Sequence, residues 1–235
     1  MSHILDVWRE DGVPKDIPLM VTESNLSWNL TGPMSQIFSA LWLADSVGSF
    51  FEAGGAAYYH SPIQPEPVRE TCLGSATWGN FVPDANLKIQ AYTAQYFAGR
   101  LINLEWAQHR AGPHQMFAAS CDIKDANGNA LITTYALHRP DGKWSLMVVN
   151  KDQDHSRRVR VAFDESAGRH ASFAGPVTMV TFGSDQYVWR EHGRNSRPDP
   201  DGPPLTTEIA GGANADFVLP KASVTVLRGN VESPR

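Results

Sequence analysis

Pro18-Leu19-Met20-Val21-Thr22-Glu23-Ser24-Asn25 is a short apolar run that ends in a carboxylate. The run lies between a proline and a polar loop, residues 24–33, that contains Gly and Pro, a pattern typical of a fully buried parallel strand. Glu23 then lies at the C-terminal end of the strand, where the loops of an α/β barrel form the catalytic cleft. We therefore expect Glu23 to be catalytic, and the alternative is a surface acid at the start of a loop.

The composition is that of a globular protein and names no function. The chain has 235 residues, of which 42% are hydrophobic and 19% charged, enough for one large or two small domains. A formal net charge of -5 argues against a nucleic-acid or anionic-membrane partner. Cys72 and Cys121 are far apart and lack metal-ligand spacing, so they predict neither a zinc site nor a disulfide framework. No apolar run approaches the roughly 18 residues of a membrane span.

The first hundred residues alternate helix with strand. Residues 4–8 look like the last turns of a helix that Gly12 stops, so we expect the chain to begin inside an element. No secretory signal is visible there, which leaves the compartment open. Residues 36–51 carry an apolar stripe at steps of three and four that predicts a helix, and residues 56–60 predict a second short buried strand. Strand, helix and strand over this length predict a parallel sheet, and residues 87–101 resume a helical pattern.

Beyond residue 101 the apolar period becomes two, which predicts strands and turns only. Two hairpin turns are indicated by Asp125-Ala126-Asn127-Gly128 and by Pro140-Asp141-Gly142. The predicted strands are residues 117–123, 130–138, 143–149, 157–163, 177–182, 187–190, 206–209, 217–219 and 223–228. Strands of this length and spacing favour an antiparallel β-sandwich, and residues 191–204 read as a solvated loop. The predicted domains are residues 1–100 and 101–235, which gives an α/β part followed by an all-β part.

The order of these elements resembles the C-terminal part of a retaining glycoside hydrolase of clan A, similar to family 39. The segments that carry the resemblance are Val21-Thr22-Glu23-Ser24-Asn25, Ala57-Tyr58-Tyr59-His60, residues 39–45 and 73–79, the hairpin residues 142–151 and the last strand, residues 219–227. In this family the string around Glu23 closes the seventh strand of a (β/α)8 barrel. The resemblance therefore implies the C-terminal strands and helices of an incomplete (β/α)8 barrel followed by an antiparallel β-sandwich.

The resemblance implies that Glu23 is the nucleophile and that the substrate is a carbohydrate, with no cofactor or metal. A retaining mechanism needs two carboxyl groups about 5–5.5 Å apart. The acid/base of this family comes from the fourth strand, and no residue here corresponds to it. We therefore expect the chain to be inactive alone and to require the missing N-terminal barrel portion as a partner.

Four residues are predicted to bind the substrate beside Glu23. Asn25 and Tyr59, together with Thr22, could donate hydrogen bonds that keep a nucleophilic carboxylate charged. Trp28 could present its flat apolar face to a sugar ring, and either Tyr58 or His60 could line the floor of the site.

The remaining polar and aromatic residues allow a second hypothesis. We expect Asp45 and Glu52 to lie on solvated helix faces, and the histidines of residues 109–138 have no metal-ligand spacing. The chain could instead be a carbohydrate-binding or structural β-sandwich protein in which Glu23 has no catalytic role. In that case Trp106, Trp144 or Trp189 would contact carbohydrate, although packing in the core is the commoner role for such residues.

Overall fold

The computed structural model describes residues 2–14, 16–109, 112–164 and 170–232. The first helix, α1, spans Ser2–Glu10 and is followed by Gly12 with a φ of +80°, so the predicted glycine stop is confirmed. Within the described ranges, no helix is long and apolar enough to cross a membrane.

A parallel strand pair follows α1. Strand β1, Met20–Val21, pairs in parallel with β2, Ala57–Tyr58, and the chain between them forms a 3-10 turn, Gly32–Ser35, and helix α2, Ile37–Glu52. The predicted strand–helix–strand order is confirmed. The expected full burial of the first strand is wrong, because Met20 is 54% exposed. Within the described residues β1 and β2 pair only with each other, so no further strand pairs with the outer edge of either one.

Two small hairpins come next. Strand β3, Arg69–Thr71, pairs with β4, Gly74–Ala76, and β5, Phe81–Pro83, pairs with β6, Ile89–Tyr92. The predicted helix over residues 87–101 is therefore wrong in its first part. The Asp84 carboxylate accepts hydrogen bonds from the backbone N–H groups of Asn86 and Lys88, and Leu87 adopts a φ of +62°, so a tight turn replaces the helix start.

The helix that follows begins later than predicted and runs further. Helix α3, Ala94–Arg100, continues directly as a π-helix over Leu101–Trp106. One helical segment thus crosses residues 100 and 101, and the division of the chain into domains at that point remains a prediction.

The rest of the chain is dominated by one antiparallel sheet of seven strands. Its strands are β7 (Gln115–Phe117), β8 (Ile132–His138), β9 (Trp144–Asn150), β11 (Phe163–Asp164), β12 (His170–Gly183), β15 (Leu205–Ala210) and β17 (Ser223–Glu232). They run in the order β11, β12, β17, β9, β8, β7, with β15 also pairing with β12. The hairpin predicted around Pro140-Asp141-Gly142 is confirmed, since His138 faces Trp144 in the ladder.

Two further strand pairs lie outside this sheet. Strand β10, Arg157–Val159, pairs with β16, Phe217–Leu219, and β13, Tyr187–Arg190, pairs with β14, Arg197–Asp201. The solvated loop predicted over residues 191–204 is wrong in its second half, because β14 pairs with β13 there. The strand predicted over residues 117–123 is also wrong, since pairing with β8 ends at Phe117 and residues 118–123 are irregular.

The sheet is covered on both faces but by different partners. Six of the seven residues of β9 are buried, which requires cover on both sides. One face packs on α2 and α3 and shares a large apolar core with them, and the opposite face packs on the β10–β16 pair. The all-β part thus consists of one large sheet and a two-stranded second layer, and its assignment as a β-sandwich remains a prediction. Each fully buried Leu, Val or Phe contributes roughly 1.5–3 kcal/mol.

Asp45, a charged residue of α2, links this helix to the sheet through polar contacts. The Asp45 carboxylate accepts hydrogen bonds from the hydroxyls of Thr133 and of Tyr135, the latter at 2.7 Å, and lies 3.3 Å from Nζ of Lys151. The expectation that Asp45 lies on a solvated face is wrong. A period of three to four residues identifies the apolar stripe of a helix but not the polar groups that face it from a sheet.

Candidate functional site

The site forms where the two parallel strands end. Pairing continues past the strands, because the N–H of Tyr59 donates to the carbonyl of Val21 at 2.9 Å and that of Ser61 to Ser24 at 2.9 Å. The loops after β1 and β2 therefore leave the strand pair side by side. Between these loops and the loop before β5 lies a cavity of about 350 Å³, lined by Glu23, Ser24, Asn25, Ser27, Trp28, Ser61, Pro62 and Trp78.

Glu23 is exposed in this cavity and is weakly hydrogen-bonded. Its Oε1 accepts a hydrogen bond from the Ser61 hydroxyl at 3.4 Å, the single side-chain partner it has among the described residues. It is also the single carboxylate among the eight lining residues. A carboxylate with free lone pairs in a concave site can attack or bind a ligand from the open side.

Asn25 joins three segments of the site. Its Nδ2 donates to the carbonyl of Ser61 at 2.7 Å, and its Oδ1 accepts from the N–H of Leu26 at 2.7 Å and from Nε2 of Gln95 at 2.9 Å. Both the oxygen and the nitrogen of the Asn25 amide thus hydrogen-bond to other groups of the protein. Asn25 lines the cavity as predicted, but its contacts are those of a residue that positions the loop after β1.

Two indoles border the cavity. Trp28 is 82% exposed and Trp78 is 36% exposed, so both present ring surface to the open side. Sequence reasoning selected Trp28 but missed Trp78 and Ser61 as site residues. The signal for Trp78 was available, since it belongs to the segment 73–79 that carries part of the family resemblance.

Tyr59 and His60 do not line the cavity. Tyr59 is exposed outside it, whereas His60 is half-buried. Burial lowers the pKa of the His60 imidazole, and polar groups of Gln95, Ser24 and Asn80 oppose that effect. By geometry neither ring nitrogen makes a hydrogen bond within the part of the chain that the structure describes. The structure thus brings together Glu23, Asn25 and Trp28 of the five predicted residues.

Two of the three tryptophans named in the second hypothesis have the core position that is commoner for such residues. Trp106 and Trp189 are buried, and their indole N–H groups donate to the carbonyls of Tyr135 at 3.0 Å and Ser75 at 2.8 Å. Both are therefore core residues, and only Trp144 of the three keeps partial exposure. Over the described residues, no group of three or more His, Cys, Asp or Glu side chains has a geometry that could hold a metal ion.

No family model and no curated protein matches the sequence. Solved structures do match. The GH51 α-L-arabinofuranosidase of Thermotoga petrophila RKU-1 has a TM-score of 0.58 at 13% identity, over 97% of this chain and 45% of its own. The GH51 arabinofuranosidase of Xanthomonas axonopodis pv. citri gives 0.57 at 13% identity, over 97% and 44%.

A GH30 endoxylanase from Clostridium papyrosolvens C71 matches with a TM-score of 0.51 at 15% identity, over 96% of this chain and 44% of its own. The chain shares the fold of these glycoside hydrolases. It spans less than half the length of each of the three chains. The resemblance to glycoside hydrolases is thereby confirmed at the level of the fold, and the closer likeness to family 39 remains a prediction.

Proposed function

We propose that this chain supplies the nucleophile, Glu23, of a retaining glycoside hydrolase. The observation that carries the proposal is the position of the Glu23 carboxylate. It lies at the C-terminal end of a parallel strand pair, in a cavity bordered by two exposed indoles. In α/β barrels this end of the strands is where catalytic groups lie, and the fold shared with glycoside hydrolases supports the same assignment.

The reaction would proceed by two displacements at the anomeric carbon. An oxygen of Glu23 attacks that carbon while its bond to the leaving oxygen breaks, and the leaving oxygen takes a proton from an acid. Water then attacks the glycosyl ester, gives its proton to the same group and releases Glu23. In this scheme Ser61 orients Glu23, Trp28 and Trp78 stack on sugar rings, and Asn25 fixes the loop.

The acid in this scheme is a second carboxyl group, about 5–5.5 Å from the first. Of the eight residues that line the cavity, only Glu23 is a carboxylate. We propose that the second carboxyl group comes from polypeptide that pairs with the open edges of β1 and β2. The chain alone would therefore form the glycosyl ester only from substrates whose leaving group needs no proton.

That requirement defines the test. A 2,4-dinitrophenyl 2-deoxy-2-fluoroglycoside has a leaving group that departs without acid, and its fluorine slows hydrolysis of the ester. Xylosyl, arabinofuranosyl and glucosyl probes would be incubated with the full chain, and the adduct would be mapped by mass spectrometry. We expect one glycosyl adduct on the peptide that contains Glu23, its loss in Glu23→Gln and its retention in the exposed control Glu70→Gln. An adduct on another residue, or none with all three probes, overturns the assignment.

A second function is favoured by one observation, the 82% exposure of Trp28 beside Trp78. Two accessible indoles can hold a sugar chain by stacking without any chemistry. A carbohydrate-binding protein would bind oligosaccharide equally well as wild type and as Glu23→Gln, and would take up none of the covalent probes. Calorimetric titration of both forms therefore separates binding from hydrolysis.

A further inference from the structure

A second cavity lies on the opposite side of the large sheet, away from Glu23. It has a volume of about 760 Å³ and opens between the sheet face formed by β8 and β9 and the chain segments 117–121 and 159–164. We call it the interlayer cleft. Its volume lies within the roughly 300–1,000 Å³ typical of small-molecule sites.

The cleft exists because the second layer is too small for the sheet. The β10–β16 pair covers one part of the face, and the irregular residues 118–123 pass beside it without forming a strand. Small side chains of the sheet, Thr134 and Ala136, line the floor and leave room between the layers. The Thr134 hydroxyl is buried without a hydrogen-bond partner among the described residues.

Three aromatic rings line the cleft, and one of them, Trp144, contacts the other two. The ring centroid of Trp144 lies 4.7 Å from that of Phe117 and 5.0 Å from that of Phe163. Tilted and edge-to-face neighbours at these distances form the kind of surface on which a further planar ring packs well. Trp144 is only partly buried, although such a ring gains most from full burial.

One guanidinium group lines the cleft. Arg160 donates from Nε to Asp216 at 2.8 Å, and Arg158 lies 3.2 Å from the same carboxylate. Among the described residues, these two cations thus share one anion. Asp164, which also lines the cleft, lies 2.7 Å from the ring of His170. An anionic group fits beside Arg160.

We propose that the interlayer cleft binds an aromatic carboxylate. The ring lies against Trp144 and Phe163, and the carboxylate faces Arg160. This inference is independent of the function proposed for Glu23, since the two cavities share no lining residue.

The test uses trans-cinnamate as the aromatic carboxylate and cinnamyl alcohol as its uncharged analogue, each titrated into the full chain by calorimetry. We expect saturable binding of both, with cinnamate bound more tightly. Because Arg160 is exposed, Arg160→Ala should weaken cinnamate by about threefold to fivefold and leave the alcohol unchanged. Arg69→Ala, an exposed arginine elsewhere, is the matched control and should bind as wild type.

A second variant checks the place of binding. Ala119→Trp adds an indole on the irregular segment at the cleft and should abolish binding of both compounds while circular dichroism and Tm stay near wild type. Bound cinnamate should also protect Cys121, which lines the cleft, from alkylation in a Cys72→Ser background. No saturable binding, unaltered binding in Ala119→Trp, or equal affinity for acid and alcohol overturns the proposal.

Discussion

Gln95 on α3 donates a hydrogen bond from Nε2 to Oδ1 of Asn25 at 2.9 Å, which ties the loop after β1 to a helix that follows it by seventy residues in the chain. Gln95 is 1% exposed, so water cannot replace this bond. A hydrogen bond from a buried amide group therefore fixes the loop that carries Glu23. Position and mobility of the candidate nucleophile depend on a residue that makes no contact with the cavity.

Replacing this amide should loosen the site. Gln95→Leu removes one of the two donors to Asn25 Oδ1 and leaves the N–H of Leu26 as the other, which should cost about 0.5–1.5 kcal/mol of unfolding free energy. Gln90→Leu changes an exposed glutamine whose Nε2 reaches Asp84 at 3.3 Å, and it should stay within about 0.5 kcal/mol of wild type. Urea unfolding of both variants makes the comparison, and equal stabilities would contradict the role of Gln95.

The sequence predicted Glu23 and Trp28 as site residues because both follow a recognisable apolar strand. It could not predict the place of Asn25 in the bonding pattern, since Gln95 and Ser61 reach it from distant parts of the chain. His60, predicted to line the floor of the site, is not among the residues that line the cavity. Alternation along a strand says which residues share a face but not how far a following loop folds over them.

Trp28 should matter for sugar binding and little for stability. Its indole is almost free of protein contacts, so Trp28→Ala should change the unfolding free energy by less than about 0.5 kcal/mol. Loss of its stacking surface should weaken oligosaccharide binding by about tenfold, which corresponds to about 1.4 kcal/mol. Trp8→Ala, which removes an exposed indole on α1, is the control for calorimetric titration with xylo- and arabino-oligosaccharides. Equal affinity of the two variants would remove Trp28 from the site.

Close approach of α2 to the sheet gives a second prediction about stability. A Cβ built on Gly48 would lie 2.3 Å from Cδ2 of Tyr135, whereas one built on Gly99 of α3 meets nothing within 4 Å. Gly48→Ala should therefore destabilise the protein by about 1–3 kcal/mol through overpacking. Gly99→Ala should stabilise it by about 0.5–1 kcal/mol because alanine favours the helix. Thermal unfolding of both variants distinguishes the two signs, and a neutral Gly48→Ala would mean that α2 lies further from the sheet.

Some elements of this fold could be predicted from the sequence and others could not. Helix α2 followed from its apolar stripe and β13 from alternation, whereas β9 and β17 were recognisable as apolar-rich runs between turn residues. Strand β14 did not, since Arg, Pro and Asp residues in an edge strand look like a loop until their partner β13 is known. Strand β6 did not follow either, because the spacing of three residues between Ile89 and Tyr92 is typical of a helix.

Tyr135 makes the contact between α2 and the sheet sensitive to alkali. Burial, and after it the neighbouring Asp45 carboxylate, raise the pKa of the Tyr135 phenol well above its usual range. The unfolded chain ionises this group near pH 10, so its contribution to stability is complete below that pH and is lost as the pH rises further. We expect the unfolding free energy of wild type to fall more steeply above pH 10 than that of Tyr135→Phe. Denaturant titrations at pH 8, 10 and 11 test this, with Tyr59→Phe as an exposed control, and parallel curves would contradict it.

The contribution of Asp152 to stability should have the opposite pH dependence to that of Tyr135. Its Oδ1 accepts from the backbone N–H groups of Asp154 and His155, each at 3.0 Å, and its Oδ2 accepts from Nε of Arg157 at 2.9 Å. The Asp154 N–H and then the Arg157 guanidinium hold the pKa of Asp152 well below its usual range, against the opposing effect of desolvation. Because the pKa is lowered in the folded state, the stabilisation is complete above about pH 4 and declines as the pH falls below it.

Asp152→Asn should therefore be less stable than wild type at pH 7, and the difference should shrink between pH 4 and pH 2. Arg157 opens β10, so the same change should loosen the second layer over the interlayer cleft and speed amide exchange in residues 157–159. The exposed Asp122→Asn is the matched control for urea unfolding at pH 7, 4 and 3. A constant difference between Asp152→Asn and wild type over this range would show that the carboxylate acts through shape and not through charge.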